Sequence, residues 1–101
     1  MLLRIVRMEF QPEKVSDFLA IFNQSKQQIR IFQGCEYLAL HTDATNPHVR
    51  YTYSKWESEE ALNLYRNSPL FTQTWAATKA LFAAKPQAFS LYLADEVNRY
   101  T

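Results

Sequence analysis

At 101 residues the chain has the length of one domain, able to bury a core and hold one site, and residues 1–101 are expected to form a single unit. Its 11 basic and 10 acidic residues leave a net charge of +1 with no long run of either sign, so it offers neither a nucleic-acid-binding arm nor an acidic tail. One glycine is too few for a phosphate-cradling loop, one cysteine closes no internal disulfide, and no stretch approaches the roughly 18 apolar residues that span a membrane.

Leu2 to Phe10 alternates and is rich in strand-forming residues. The opening Met1-Leu2-Leu3-Arg4 belongs to this alternation and is too short for a signal peptide, so a cytoplasmic location is expected. Pro12 and Glu13 then suit the first turn of a helix, in which Val15, Phe18, Leu19, Phe22, Ile29 and Phe32 recur at helical spacing until Gly34 offers a left-handed stop. Cys35, just after it, reads as a small buried apolar residue.

Cys35 to Thr42 and Val49 to Trp56 read as the two strands of an antiparallel hairpin, joined by turn formers between Asp43 and His48. Asp43 shapes that loop through side-chain hydrogen bonds, and His41 and His48 fit no metal-ligand spacing. Ser58 caps a second helix that starts with Glu59 and Glu60, is interrupted or restarted at Ser68-Pro69, and runs to about Phe82; Lys85-Pro86 ends it, and Ala88 to Leu93 supplies a last strand. The order β-α-β-β-α-β is that of a ferredoxin-like α+β fold, with both helices on one side of an antiparallel sheet.

If Leu38 and Leu40 face the helices, Tyr37, Ala39 and His41 face away, joined by Ile5, Tyr51 and Tyr53 in an aromatic patch suited to a homodimer. That pleat turns Arg50, Thr52, Ser54 and Trp56 toward the helices. The first helix shows a matching break, with Ser25 and Lys26 where its apolar stripe should continue. Two polar gaps framed by Phe18, Phe22, Trp56, Tyr65 and Trp75 point to a small-molecule cavity. The opposite pleat of the third strand, with Tyr51 and Tyr53 in the core and Arg50, Thr52 and Ser54 in water, stays open. Tyr65 and Trp75 are candidates to hold a planar ligand or are core residues, and His41 is a candidate general base or an interfacial hydrogen-bonding residue.

The segments Met1–Met8, Phe32-Gln33-Gly34-Cys35 and Tyr53–Leu62, followed by Tyr65 and Ser68-Pro69-Leu70-Phe71, resemble the antibiotic biosynthesis monooxygenase family of the dimeric α+β barrel superfamily, over nearly the whole chain. The resemblance implies a homodimer whose sheets form a barrel. It also implies a pocket in each subunit where a phenol- or quinol-like substrate is oxidised by molecular oxygen without flavin, haem or metal, near indole and hydroxyl donors that stabilise its anion. Trp56 matches the family's pocket tryptophan. The asparagine four residues upstream is Thr52 here, and the histidines common in the second helix are Tyr65 and Leu70. Trp75 and Val6 stand where haem-degrading relatives carry histidine and asparagine. The expected catalytic set is Trp56, Tyr65, Thr52 and His41, and the expected substrate-binding set is Phe18, Phe22, Arg50, Ser54 and Trp75. A non-catalytic or stress-related binding module, and an isomerase of the same superfamily, are the alternatives; no nucleic-acid or membrane partner is expected.

Overall fold

In the computed structural model, which describes residues 1–100, β1 (Leu2–Glu9) runs between β3 (Val49–Trp56) and β4 (Gln87–Tyr92), and β2 (Cys35–Thr42) pairs with the free edge of β3. All three pairings are antiparallel, giving the order β2-β3-β1-β4. Thr101, the last residue of the expected domain, lies outside the described residues. With α1 (Val15–Arg30), α2 (Glu59–Arg66) and α3 (Pro69–Lys79) the architecture is the expected ferredoxin-like α+β fold. The sheet is open, so the barrel implied by the resemblance is not closed within one chain. Among the described residues no helix is long and apolar enough to cross a membrane.

Local chemistry explains most boundaries. A short 3-10 turn over Pro12–Lys14 precedes α1, because proline at the start supplies the required φ and lacks the N–H that would go unpaired there. The helix ends at Arg30, earlier than the periodicity through Phe32 suggests, and the Arg30 guanidinium donates to the Cys35 carbonyl at 2.9 Å. Gly34 then turns the chain at φ 88°; a Cβ on it would lie 2.5 Å from the Ala61 Cβ, so both backbone angle and close approach of α2 demand glycine. Asp43 organises the β2–β3 loop as expected: one carboxylate oxygen accepts from the Thr45 and Asn46 backbone N–H groups and the Thr45 hydroxyl, the other from the Tyr51 hydroxyl. Those donors hold its carboxyl below the usual aspartate value.

The second expected helix is two helices. Ser58 caps α2 by accepting from the Ala61 N–H at 3.1 Å. Ser68 donates back to the Tyr65 carbonyl at 2.6 Å and accepts from the Phe71 N–H at 3.2 Å, so one side chain closes α2 and opens α3, with Pro69 fixing the bend. The α3 helix stops at Lys79, short of the expected Phe82, because the chain is captured by the end of β1: Gln11 N–H donates to the Leu81 carbonyl, Ala83 N–H to the Glu9 carbonyl, and Phe10 bridges Phe82. Backbone groups paired across to a strand cannot continue a helical ladder.

Candidate functional site

The helix-facing side of the sheet is laid out in cross-strand rows. Cys35, Trp56, Leu2 and Tyr92 form one row; Leu38, Ser54, Arg4 and Ser90 the next; then Leu40, Thr52, Val6 and Ala88; and finally Thr42, Arg50 and Met8. Large side chains fill both ends. Leu2, Cys35, Trp56, Ala61 and Leu62 pack at one end, and Met8, Phe10 and Phe18 at the other. The two middle rows carry Ser54, Ser90, Thr52 and Ala88 beside Leu38, Leu40, Val6 and Arg4, with no aromatic ring among them, and the helix above them presents Ser25. Where the short Thr52, Ser54 and Ala88 side chains lie below Ser25 the layers do not meet, and the gap is a cavity of about 310 Å3.

An aromatic wall lines this gap. Trp56, only 1% exposed, stacks on Tyr65 with ring centres 4.9 Å apart. Tyr65 meets Phe71 edge to face at 5.3 Å, and Phe71 stacks parallel to Trp75 at 5.8 Å. The Ser68-Pro69 corner produces this alignment by turning α3 so that Phe71 and Trp75 continue the surface begun by Tyr65. Ser25 and Thr78, both buried, satisfy themselves by donating to the Ile21 and Thr74 carbonyls of the preceding helical turn, so they contribute space more than open hydrogen-bonding capacity.

The Trp56 indole N–H, expected to serve a ligand, donates instead to Ser54 Oγ at 3.0 Å, and Ser54 Oγ lies 3.4 Å from the Arg4 carbonyl. Trp56 is therefore a wall. The Thr52 hydroxyl on the cavity floor has no hydrogen-bond partner among the described residues. Burial pushes the Tyr65 phenol far above its ordinary value, with the Cys35 thiol adding to the effect, so Tyr65 stays protonated and keeps its O–H. Cys35 itself is buried, which raises its thiol, and it lies 3.6 Å from the Tyr37 carbonyl. A neutral buried thiol is a poor nucleophile.

The structure brings Thr52, Ser54, Trp56, Tyr65, Phe18, Phe22 and Trp75 to this one cavity. His41 and Arg50 stand apart from it. The pleat turns His41 to the opposite face of the sheet, where its ring meets Tyr53 at 6.0 Å, so it is no base for this cavity. Arg50 is on the helix side but one row too far along β3, opposite Met8, and its Nε donates to the Pro47 carbonyl at 3.1 Å. Leu38 lining the cavity and Tyr37 meeting Tyr53 across strands at 5.7 Å exclude the opposite pleat.

Sequence reasoning missed two cations. Arg4 of β1 and Arg66 in the last turn of α2 both line the cavity. Arg4 stands in the same alternating phase as Leu2, Val6 and Met8, and a charge in a buried phase was the available signal. Its guanidinium donates to Ser90 Oγ at 2.8 Å; burial first, and the Arg66 charge second, weaken its hold on its proton. The ion pairs among the described residues are Arg7–Glu9 and Lys14–Asp17, so neither Arg4 nor Arg66 has a carboxylate partner.

A profile of the family described as antibiotic biosynthesis monooxygenase matches residues 1–77. No curated protein matches the chain. Solved structures similar to it include one described as an antibiotic biosynthesis monooxygenase (TM-score 0.88, 18% identity, 94% of this chain and 100% of that one). Another is Rv0793 from Mycobacterium tuberculosis (0.87, 22%, 96% and 98%), and a third is a conserved protein from Methanosarcina mazei Go1 (0.85, 17%, 90% and 91%). At these identities the likeness establishes the fold. The profile match covers more than half of the sequence, and the chain belongs to the antibiotic biosynthesis monooxygenase family.

Proposed function

We propose that the chain is a cytoplasmic, cofactor-independent monooxygenase that oxidises a small phenol- or quinol-like substrate with molecular oxygen inside this cavity. The observation that carries the reading is the cavity itself, about 310 Å3 walled by the Trp56-Tyr65-Phe71-Trp75 surface and floored by the uncommitted Thr52 hydroxyl. Its volume lies near the lower bound of the roughly 300–1,000 Å3 usual for small-molecule sites, which suits a compact ring system. The aromatic wall stacks the ring and keeps water out, while the Thr52 and protonated Tyr65 hydroxyls donate to the substrate oxygen as it becomes an anion. A phenol carrying hydrogen para to its hydroxyl then reacts with dioxygen: one oxygen atom becomes the second carbonyl of the quinone, and the other leaves as water with the two displaced hydrogens.

Oxygen uptake and quinone absorbance with a panel of phenols and quinols test this. Tyr65→Phe and Thr52→Val are each expected to lower kcat/KM by about ten- to a hundredfold, the scale of losing one donor to a developing oxyanion, with little change in melting temperature. No uptake across the panel, or uptake unchanged in the double variant, sinks the assignment. Among the described residues the lining holds no carboxylate, histidine or lysine to remove a proton, which favours a second reading as a non-catalytic binding module. Ligand-induced thermal stabilisation without oxygen uptake would select it.

The same proposal includes a homodimer through the sheet face opposite the helices. That face carries Ile5, Tyr37, Tyr51 and Tyr53 and, on β4, Phe89 and Leu91, which remain 48% and 46% exposed. Arg7 and Lys55 share this face, but monomers rarely leave so many large apolar side chains in water, and a second copy would cover them with the same surface. Light scattering is expected to return twice the chain mass for the parent and the chain mass for Tyr53→Asp; a monomeric parent ends this part of the reading.

A further inference from the structure

We propose that the ligand of this cavity is an aromatic carboxylate, its ring against the Tyr65-Phe71-Trp75 wall and its carboxylate held by Arg4 and Arg66. Two guanidinium groups line one cavity, and neither has a carboxylate partner among the described residues. Like charges placed together without a counter-ion raise the energy of the empty site, and an anion removes that cost while supplying acceptors for forked donors. Among the described residues the surrounding groups offer the pair no anion, although Arg66 also reaches solvent. Arg4 engages Ser90, a neutral hydroxyl, and its cross-strand neighbour Ser54 is already occupied by the Trp56 indole. The rest of the lining is mostly apolar and aromatic, so the anionic group must be attached to a ring that the remaining walls accept. Arginine suits the role because its planar donor pairs match a carboxylate and its charge persists when partly buried.

Like the oxidase reading, this requires the cavity to be the ligand site, but it makes no demand on oxygen chemistry. It also assigns work to the cations: they neutralise a substrate that enters as an anion and, for a ring that also carries a hydroxyl, favour ionisation of that hydroxyl without a protein base.

Equilibrium binding of 2-naphthoate and 2-naphthamide, a charged and a neutral ligand of nearly equal shape, tests the assignment without oxygen. Quenching of tryptophan fluorescence or calorimetry reads the affinity. The parent protein is expected to bind the naphthoate at least tenfold more tightly than the amide, the scale of a charge-assisted pair. Arg4→Gln and Arg66→Gln are each expected to lose about tenfold for the naphthoate and less than twofold for the amide. Equal binding of the two ligands by the parent, absence of saturable naphthoate binding, or a preference that survives in the Arg4→Gln/Arg66→Gln double variant overturns it. If Arg4→Gln does not fold, Arg66→Gln and the parent comparison decide, since Arg66 is exposed at the helix end. Naphthoate preference with no oxygen uptake from any phenol keeps the anion site and removes the oxidase; uptake with neutral phenols and no naphthoate preference does the reverse.

Discussion

Trp56→Ala is expected to destabilise the fold by about 3–5 kcal/mol, the range for deleting a buried tryptophan, and to lower the melting temperature by roughly 15–25 °C. The side chain is 1% exposed, stacks on Tyr65 at 4.9 Å, and meets Phe32 edge on at 6.5 Å. It also belongs to the cluster with Leu2, Cys35, Ala61 and Leu62 that closes one end of the cavity. Removing it opens a void beside an existing one and leaves Tyr65 held by its edge-on contacts with Phe32 at 5.5 Å and Phe71 at 5.3 Å, without the stacked face. A denaturation midpoint showing a loss below about 1 kcal/mol would mean that this end of the core does not depend on the stack. Trp56→Phe separates support from chemistry. It keeps a ring against Tyr65 but deletes the N–H that Ser54 Oγ receives at 3.0 Å. Turnover by this variant is expected within about tenfold of the parent, since one hydrogen bond to another side chain holds the floor and not the reacting atoms. A loss beyond a hundredfold in a protein that still melts cooperatively would return the indole N–H to the substrate.

Much of this fold was legible because its local signals agree. The β2–β3 hairpin has alternating strands on both sides of a loop whose turn formers include Asp43, and the structure starts and ends both strands where the alternation does. Helix ends were less legible where a distant partner fixes them: the last turn of α3 is lost to pairings with Glu9, Phe10 and Gln11 that no local pattern encodes. The site was readable as a deficit, polar Thr52 and Ser54 opposite Ser25 inside apolar stripes, and the structure brings all three to one cavity. Position along a strand was harder than its phase. Arg50 shares the correct face with Thr52 and Ser54 but lies a row beyond the cavity, while His41 lies on the other face. Arg4 is legible as a charge in the buried phase of β1, but Arg66 at a helix end reads as a match for the dipole, and only the tertiary fold brings the two to one place.

Ser25→Leu is expected to raise stability by about 1–3 kcal/mol while weakening ligand binding by a hundredfold or more. Position 25 lies on the apolar stripe of α1 between Phe22 and Ile29, and its side chain is buried at 7% exposure, so a leucine there enters the cavity between the two packed ends. The lost hydroxyl leaves little behind, because it donates within its own helix to the Ile21 carbonyl, and that carbonyl retains its position in the helical ladder. Leucine is also the better helix former, and its side chain gains the apolar contacts that serine cannot make. Stability and function are thereby opposed at one residue: filling the gap completes the core and removes the room a ligand needs. Ser25→Ala is the control, expected to change stability by less than about 1 kcal/mol and to bind normally, since it removes the hydroxyl without adding volume. A Ser25→Leu protein that is less stable than the parent yet binds ligand as before would show that this space neither admits a side chain nor holds the ligand.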